Sequence, residues 1–121
     1  MTLTSKLNRS TRALFAVSLL GAVSMAMGAT LGNPSAGATK SKPCASCHGA
    51  DGNKTIDGQY PRIAGQYADY LLRSMQEYKN GRRDNAIMAG FVKELSNQDL
   101  ADLAAFYSTQ KGQLVDLSHL K

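Results

Sequence analysis

The chain has 121 residues, 14 lysines and arginines against nine acids, and only two cysteines. That length suits one small domain, and two cysteines three positions apart exclude a framework of loop-closing disulfides. The formal charge of +5 is not gathered into a basic stripe with interleaved aromatics, which argues against a nucleic-acid partner.

The first segment reads as a targeting signal. Lys6, Arg9 and Arg12 make a basic start, and the 27 residues from Ala13 to Thr39 carry no charge. The apolar heart, Ala13 to Ala29, ends in small residues, the pattern of a secretory signal peptide. A cut after Ala26, Gly28 or Ala29 fits equally. The alternative is a retained anchor. A spanning helix needs ~20 predominantly apolar residues, and this segment is short and interrupted by Ser18, Ser24 and two glycines. We divide the chain into a leader, residues 1–29, and a domain, residues 30–121, with no membrane span expected in the mature chain and export to the periplasm. Eleven of the 14 basic residues and all nine acids lie downstream of the leader, so the mature charge is only +2.

Asn33-Pro34 suits an N-cap followed by proline at the first helical position, and predicts a helix from about Pro34 to Lys42. Pro43 lacks an amide donor and ends it. Residues 51–65 hold glycines and Pro61 and read as irregular chain wrapping one face of a site. Gln66 to Asn80 has helical periodicity, with Tyr67, Tyr70, Leu71, Met75 and Tyr78 on one stripe and Gly81 at its left-handed end. The stretch from Arg82 to Leu95 is glycine-broken and is expected to connect rather than form a long helix. Ser96 and Asp99 resemble a capping box opening a helix to about Gln110, with Leu100, Leu103, Ala104 and Tyr107 as its apolar stripe and Gly112 as its close. No strand-like alternation appears, so the fold class is all-α.

Between the first two segments stands Cys44-Ala45-Ser46-Cys47-His48. C-x-x-C-H is the attachment motif of c-type haem: two thiols for thioethers and a histidine to ligate iron. The competing chemistries lack parts. A thioredoxin-like pair wants a βαβ setting. A structural zinc site needs four ligands, and the only other histidine is His119. The haem reading makes Cys44 and Cys47 the covalent attachment residues and His48 the proximal ligand. A ligating histidine needs an acceptor at its other ring nitrogen, and a backbone carbonyl of the Asp57–Ala64 loop, stiffened by Pro61, is the candidate.

The sixth ligand separates an electron carrier from a reactive haem, because a thioether raises the potential and closes the iron. Downstream of the leader only Met75 and Met88 are available. Met75 belongs to a helix stripe, where methionine fills core. Met88 lies on the connector, 40 residues after His48, and is preferred; His119 is a lesser alternative. Tyr67, Tyr70, Tyr78 and Tyr107 read as core and haem-packing residues. Arg82, Arg83 and Asn85 are candidates for the haem propionates, against a plain solvated turn.

Four blocks now carry a resemblance: CASCHGADGN (Cys44–Asn53), YPRIAGQYADYL (Tyr60–Leu71), GRRDNAIMAGF (Gly81–Phe91) and LSNQDLADLAAFYSTQ (Leu95–Gln110). From about Gly37 to Gln110 the chain resembles a class I cytochrome c, both the small periplasmic monohaem forms and one half of the bacterial dihaem forms. The resemblance implies three main helices wrapped around one covalently bound haem c, with first and last helices crossing. Gly37 and Tyr107 match the positions where backbone and ring meet at that crossing. Pro61 matches the proline whose carbonyl accepts from the proximal histidine, and Met88 matches the distal iron ligand. Pro43, directly before the first cysteine, departs from the pattern and leaves the end of the first helix open. The function implied is periplasmic transfer of single electrons between redox protein donors and acceptors, met transiently, without bond-making catalysis. The alternatives are a haem-bearing subunit of a larger oxidoreductase and a haem enzyme or sensor with an open sixth position.

Overall fold

A computed structural model describes residues 31–113; the leader with its cleavage point, and His119, lie outside the described residues. Among the described residues every regular element is helical: α1 Pro34–Lys40, α2 Ala45–His48, α3 Ala68–Lys79, α4 Ala86–Val92 and α5 Asn97–Thr109. None of these helices is long and apolar enough to cross a membrane.

α1 starts as its sequence dictates. The Asn33 side chain accepts from the amides of Ser35 and Ala36 at 2.9 and 3.2 Å, with Pro34 at the first position. It ends at Lys40, two residues earlier than predicted. Pro43 disfavours helical backbone at the residue before it, so the chain leaves the helix at Ser41 and a separate turn carries it to α2. That turn is closed by the Cys44 amide donating to the Ser41 carbonyl at 2.9 Å.

α5 carries the predicted capping box. The Asp99 amide donates to Ser96 Oγ at 3.1 Å and the Ser96 amide donates to Asp99 Oδ2 at 2.9 Å. Its inner face, Leu100, Leu103, Ala104 and Tyr107, is buried. Burying each of the two leucines contributes about 1.5–3 kcal/mol against leaving it exposed. The helix ends at Gln110 in extended backbone, not at Gly112. Gly112 serves elsewhere: a Cβ there would lie 2.0 Å from the Ala64 carbonyl oxygen, so only glycine permits that crossing of segments.

α1 lies across α5, and α5 also packs on α3, which packs on α4. The α1–α5 crossing is tight at Gly37, where a Cβ would meet the Asp102 carbonyl oxygen at 2.0 Å. The aromatic residue beside Gly37 is Phe106 rather than Tyr107, which turns to the other side of α5 and joins Leu71, Leu103 and Ala104 in the core. Polar bonds lock the same crossing. Buried Asp102, 3 % exposed, accepts from the Asn33 amide and from Gln98 Nε2, both at 2.8 Å, and pairs with Lys40 at 2.5 Å.

The α3 stripe holds except at its first member. Leu71 is buried, Met75 packs on the core, and Tyr70, 48 % exposed, and Tyr78 share one wall with them, whereas Tyr67 is 68 % exposed. Tyr67 is the N-cap residue, in extended backbone, so it does not share the helical face. The stretch from Arg82 to Leu95 is more regular than its glycine suggests. α4 makes nearly two turns through Gly90, where a Cβ would meet nothing within 4 Å.

Candidate functional site

α2, the loop before α3, and the inner faces of α3, α4 and α5 enclose a cavity of ≈ 420 Å³. Cys44, Cys47, His48, Pro61 and Met88, each singled out from the sequence, all line it. So does Met75, the alternative thioether, which is also part of the core packing.

His48 closes α2 and is 6 % exposed. Its Nδ1 lies 2.8 Å from the Pro61 carbonyl oxygen. A carbonyl only accepts, so Nδ1 carries the proton and donates, which leaves the Nε2 lone pair available for a metal. Tyr60 stands edge-on to the imidazole with ring centroids 6.5 Å apart.

The four residues of α2 place the two thiols one turn apart, with Gly49 leaving the turn at φ 82°. Burial pushes the Cys44 thiol up from its ordinary value. A thiol kept neutral by apolar surroundings is a poor thiolate nucleophile or metal ligand, whereas a thioether loses the ionisable proton altogether. Among the described residues no cluster of three or more His, Cys, Asp and Glu side chains converges as a metal site would require. The donors at the cavity are therefore one imidazole, two thiols and two thioethers.

Met88 sits in the first turn of α4, not on an irregular connector. Asn85 caps this helix, its Oδ1 accepting from the Met88 amide at 3.0 Å. A single side chain thus fixes where the half-buried Met88 enters the cavity. Ile87, in the same turn, and Phe91, four residues on, add apolar wall. Sequence alone does not mark these two, because their i, i+4 relation shows only once α4 is known to be helical.

The lining suits a flat, largely apolar guest with an anionic rim. Leucine, isoleucine, valine, phenylalanine and tyrosine dominate it, and its charged members are Lys40, Arg62 and Arg83, with no aspartate or glutamate. Arg82 does not reach it and bonds Asn80 Oδ1 instead, at 3.2 Å from Nε, whereas Asn85 does line it. The Tyr107 hydroxyl, also on this wall, is buried without a hydrogen-bond partner, and burial raises its pKa.

The family model for cytochrome c matches residues 35–111. The chain belongs to the cytochrome c family. As a cytochrome c it has covalently bound haem c, with its iron, as cofactor, and the residues around the cavity fit that group in their donor chemistry and apolar lining. Cytochrome c4 of Pseudomonas aeruginosa is 45 % identical over 80 residues, covering 66 % of this chain and 39 % of that protein. Cytochrome c-554(548) of Halomonas halodenitrificans is 40 % identical over 83 residues, 66 % of this chain and 99 % of that one. The crystal structure of reduced recombinant cytochrome c4 from Pseudomonas stutzeri matches with a TM-score of 0.64 at 39 % identity, over 69 % of this chain and 48 % of that chain. This cytochrome c therefore spans less than half the length of those cytochrome c4 relatives and nearly all of the cytochrome c-554(548). The all-helical class I fold is the one the resemblance implied.

Proposed function

We propose that the protein is a periplasmic carrier of single electrons, with haem c attached through Cys44 and Cys47 and its iron held between His48 and Met88. The haem, when bound, supplies the one-electron ferrous–ferric couple. The chain supplies fixed surroundings. His48 is held in one tautomer by Pro61, Met88 is set by the Asn85 cap, and α3, α4 and α5 exclude water with their inner faces. Donors fixed in this way would keep rearrangement small when the charge changes, and a thioether donor would favour the reduced state.

The observation that carries this reading is the meeting of Cys44, Cys47, His48 and Met88 on one cavity wall system, with the His48 Nδ1 proton already committed at 2.8 Å to Pro61. Donors and acceptors are other redox proteins, met at the side of the cavity where Tyr70, Ile87 and Phe91 are exposed. Small, transient interfaces suit such exchange. The leader, residues 1–29, supports export to the periplasm.

The test is an absorption spectrum of the purified ferric protein together with its intact mass after denaturation. The reading expects a mass increased by one haem that survives denaturation, and a low-spin spectrum with the sulfur-to-iron charge-transfer band. A high-spin spectrum would point instead to a haem enzyme or sensor with an open sixth position.

A further inference from the structure

The two cysteine sulfurs stand in unlike surroundings, and the difference lies in the hydroxyl beside each. Cys47 has Ser46 Oγ at 3.8 Å. A serine hydroxyl has one proton, and Ser46 gives it to the Pro43 carbonyl at 2.8 Å. Cys44 instead packs against the core cluster that contains Tyr107, and both residues line the cavity. Tyr107 is 3 % exposed, and its Oη is buried without a hydrogen-bond partner.

The Tyr107 ring is held where it stands. Gly52 lies against it, where a Cβ would come within 2.9 Å of Tyr107 Cδ1. The Phe106 ring is 4.9 Å away between centroids, and the Tyr107 carbonyl accepts from the Gly65 amide at 2.9 Å. The side chains beside the hydroxyl are Ser41 and Cys44. Ser41 is buried and already gives its own proton to the Ala38 carbonyl at 2.9 Å. Burial pushes the Cys44 thiol up, and the Tyr107 hydroxyl opposes that rise, as a donor aimed at sulfur does. A buried hydroxyl left unpaired is costly. A thiol meets a phenol as donor or as acceptor, whereas a thioether has no proton of its own and only accepts.

We propose that Tyr107 is a positioning residue that donates its hydroxyl proton to the Cys44 sulfur in the haem-bearing protein, and so ties α5 to the first residue of the C-x-x-C-H turn. This rests on the haem reading above and gives the last helix a polar hold on one attachment residue and not on the other. Cys44 is then fixed in one side-chain orientation by a bond from α5, while Cys47 is placed by α2 alone.

The experiment is resonance Raman spectroscopy of the ferrous holoprotein in light and heavy water, for wild type, Tyr107→Phe and Ser46→Ala, read at the carbon–sulfur stretching bands. One such band is expected to shift on deuteration in the wild type and in Ser46→Ala. Tyr107→Phe, which keeps the ring, is expected to lose that shift. A wild type with no deuterium-sensitive carbon–sulfur band overturns the proposal, the result expected if Ser41 takes the proton instead. A shift that survives in Tyr107→Phe, or vanishes in Ser46→Ala, overturns it equally. A purely structural role for Tyr107 would alter the melting temperature and leave the deuterium sensitivity as it was. If Tyr107→Phe yields no holoprotein, the wild type and Ser46→Ala decide. A wild type without covalent haem would contradict the proposed function itself, and is read from its mass after denaturation before any variant is made.

Discussion

His48 and Pro61 are 13 residues apart in the chain, and the ring Nδ1 of one lies 2.8 Å from the carbonyl oxygen of the other. This bond ties α2 to the loop before α3 and selects the tautomer of the imidazole. Pro61 acts through its backbone, so its side chain matters by stiffening the loop. Pro61→Gly is expected to cost about 1 kcal/mol through the greater freedom of the unfolded chain. It should also weaken the proposed hold of His48 on the iron. Denaturant midpoints and the pH at which the low-spin spectrum collapses would check this; a spectrum as acid-resistant as the wild type's would count against the loop's role.

Met88 and Met75 face the same cavity but differ in setting. Met88→Ala should abolish the sulfur-to-iron band, lower the potential and let the ferrous protein bind carbon monoxide, with only modest loss of stability. Met75→Ala should leave the band intact and destabilise the fold by about 2 kcal/mol, since it empties part of the core packing. The reverse pattern would hand the axial role to Met75.

Gly37 is expected to be intolerant of any side chain. A Cβ at 2.0 Å from the Asp102 carbonyl oxygen cannot be absorbed by rotamer changes, because the obstacle is backbone. Gly37→Ala should force α1 away from α5, at a cost of roughly 3 kcal/mol or more. Thermal unfolding of the holoprotein would show it, and a melting temperature within a few degrees of wild type would refute the tight crossing.

The Lys40–Asp99–Asp102 group gives the α1–α5 crossing a defined pH response. The Lys40 ammonium, then the Asn33 amide and the Gln98 side chain, hold the Asp102 carboxyl down at about 2, below its ordinary 3.8. The unfolded chain therefore takes up this proton first as pH falls. The stability this group contributes is present above about pH 4 and is lost as pH falls through about 2. Lys40 is raised, its hydrogen bonds to Asp102 and Asp99 being the main causes. Its contribution is complete below pH 10.5 and is lost only as pH rises beyond that value. Stability measured against pH should thus show an acid limb that Asp102→Asn flattens. An unchanged limb in that variant would place acid sensitivity elsewhere.

The parts of this molecule that were legible in its sequence are those fixed by neighbours along the chain. The Asn33-Pro34 start of α1, the Ser96–Asp99 box of α5 and the C-x-x-C-H turn each satisfy their own backbone groups within a few residues, so their residue types announce them. α4 is different. Its helix depends on packing against α3, which outweighs the weak local preference of a stretch containing Gly90. The work of Gly112 at Ala64 and of Asp102 beneath Asn33 joins segments far apart in sequence, and nothing near either residue signals it. Arg82 and Arg83 look alike as neighbours in a basic turn. Only the course of the chain after Gly81 sends one to Asn80 and the other into the cavity.

Redox titration of the wild-type holoprotein with and without carbon monoxide asks whether the iron carries a single electron while closed on both sides. One reversible one-electron transition, identical in both, is expected if His48 and Met88 hold the iron as proposed, because they would leave no site for the gas. A transition that shifts upward under carbon monoxide would contradict it, since the ferrous iron would then have an exchangeable sixth position.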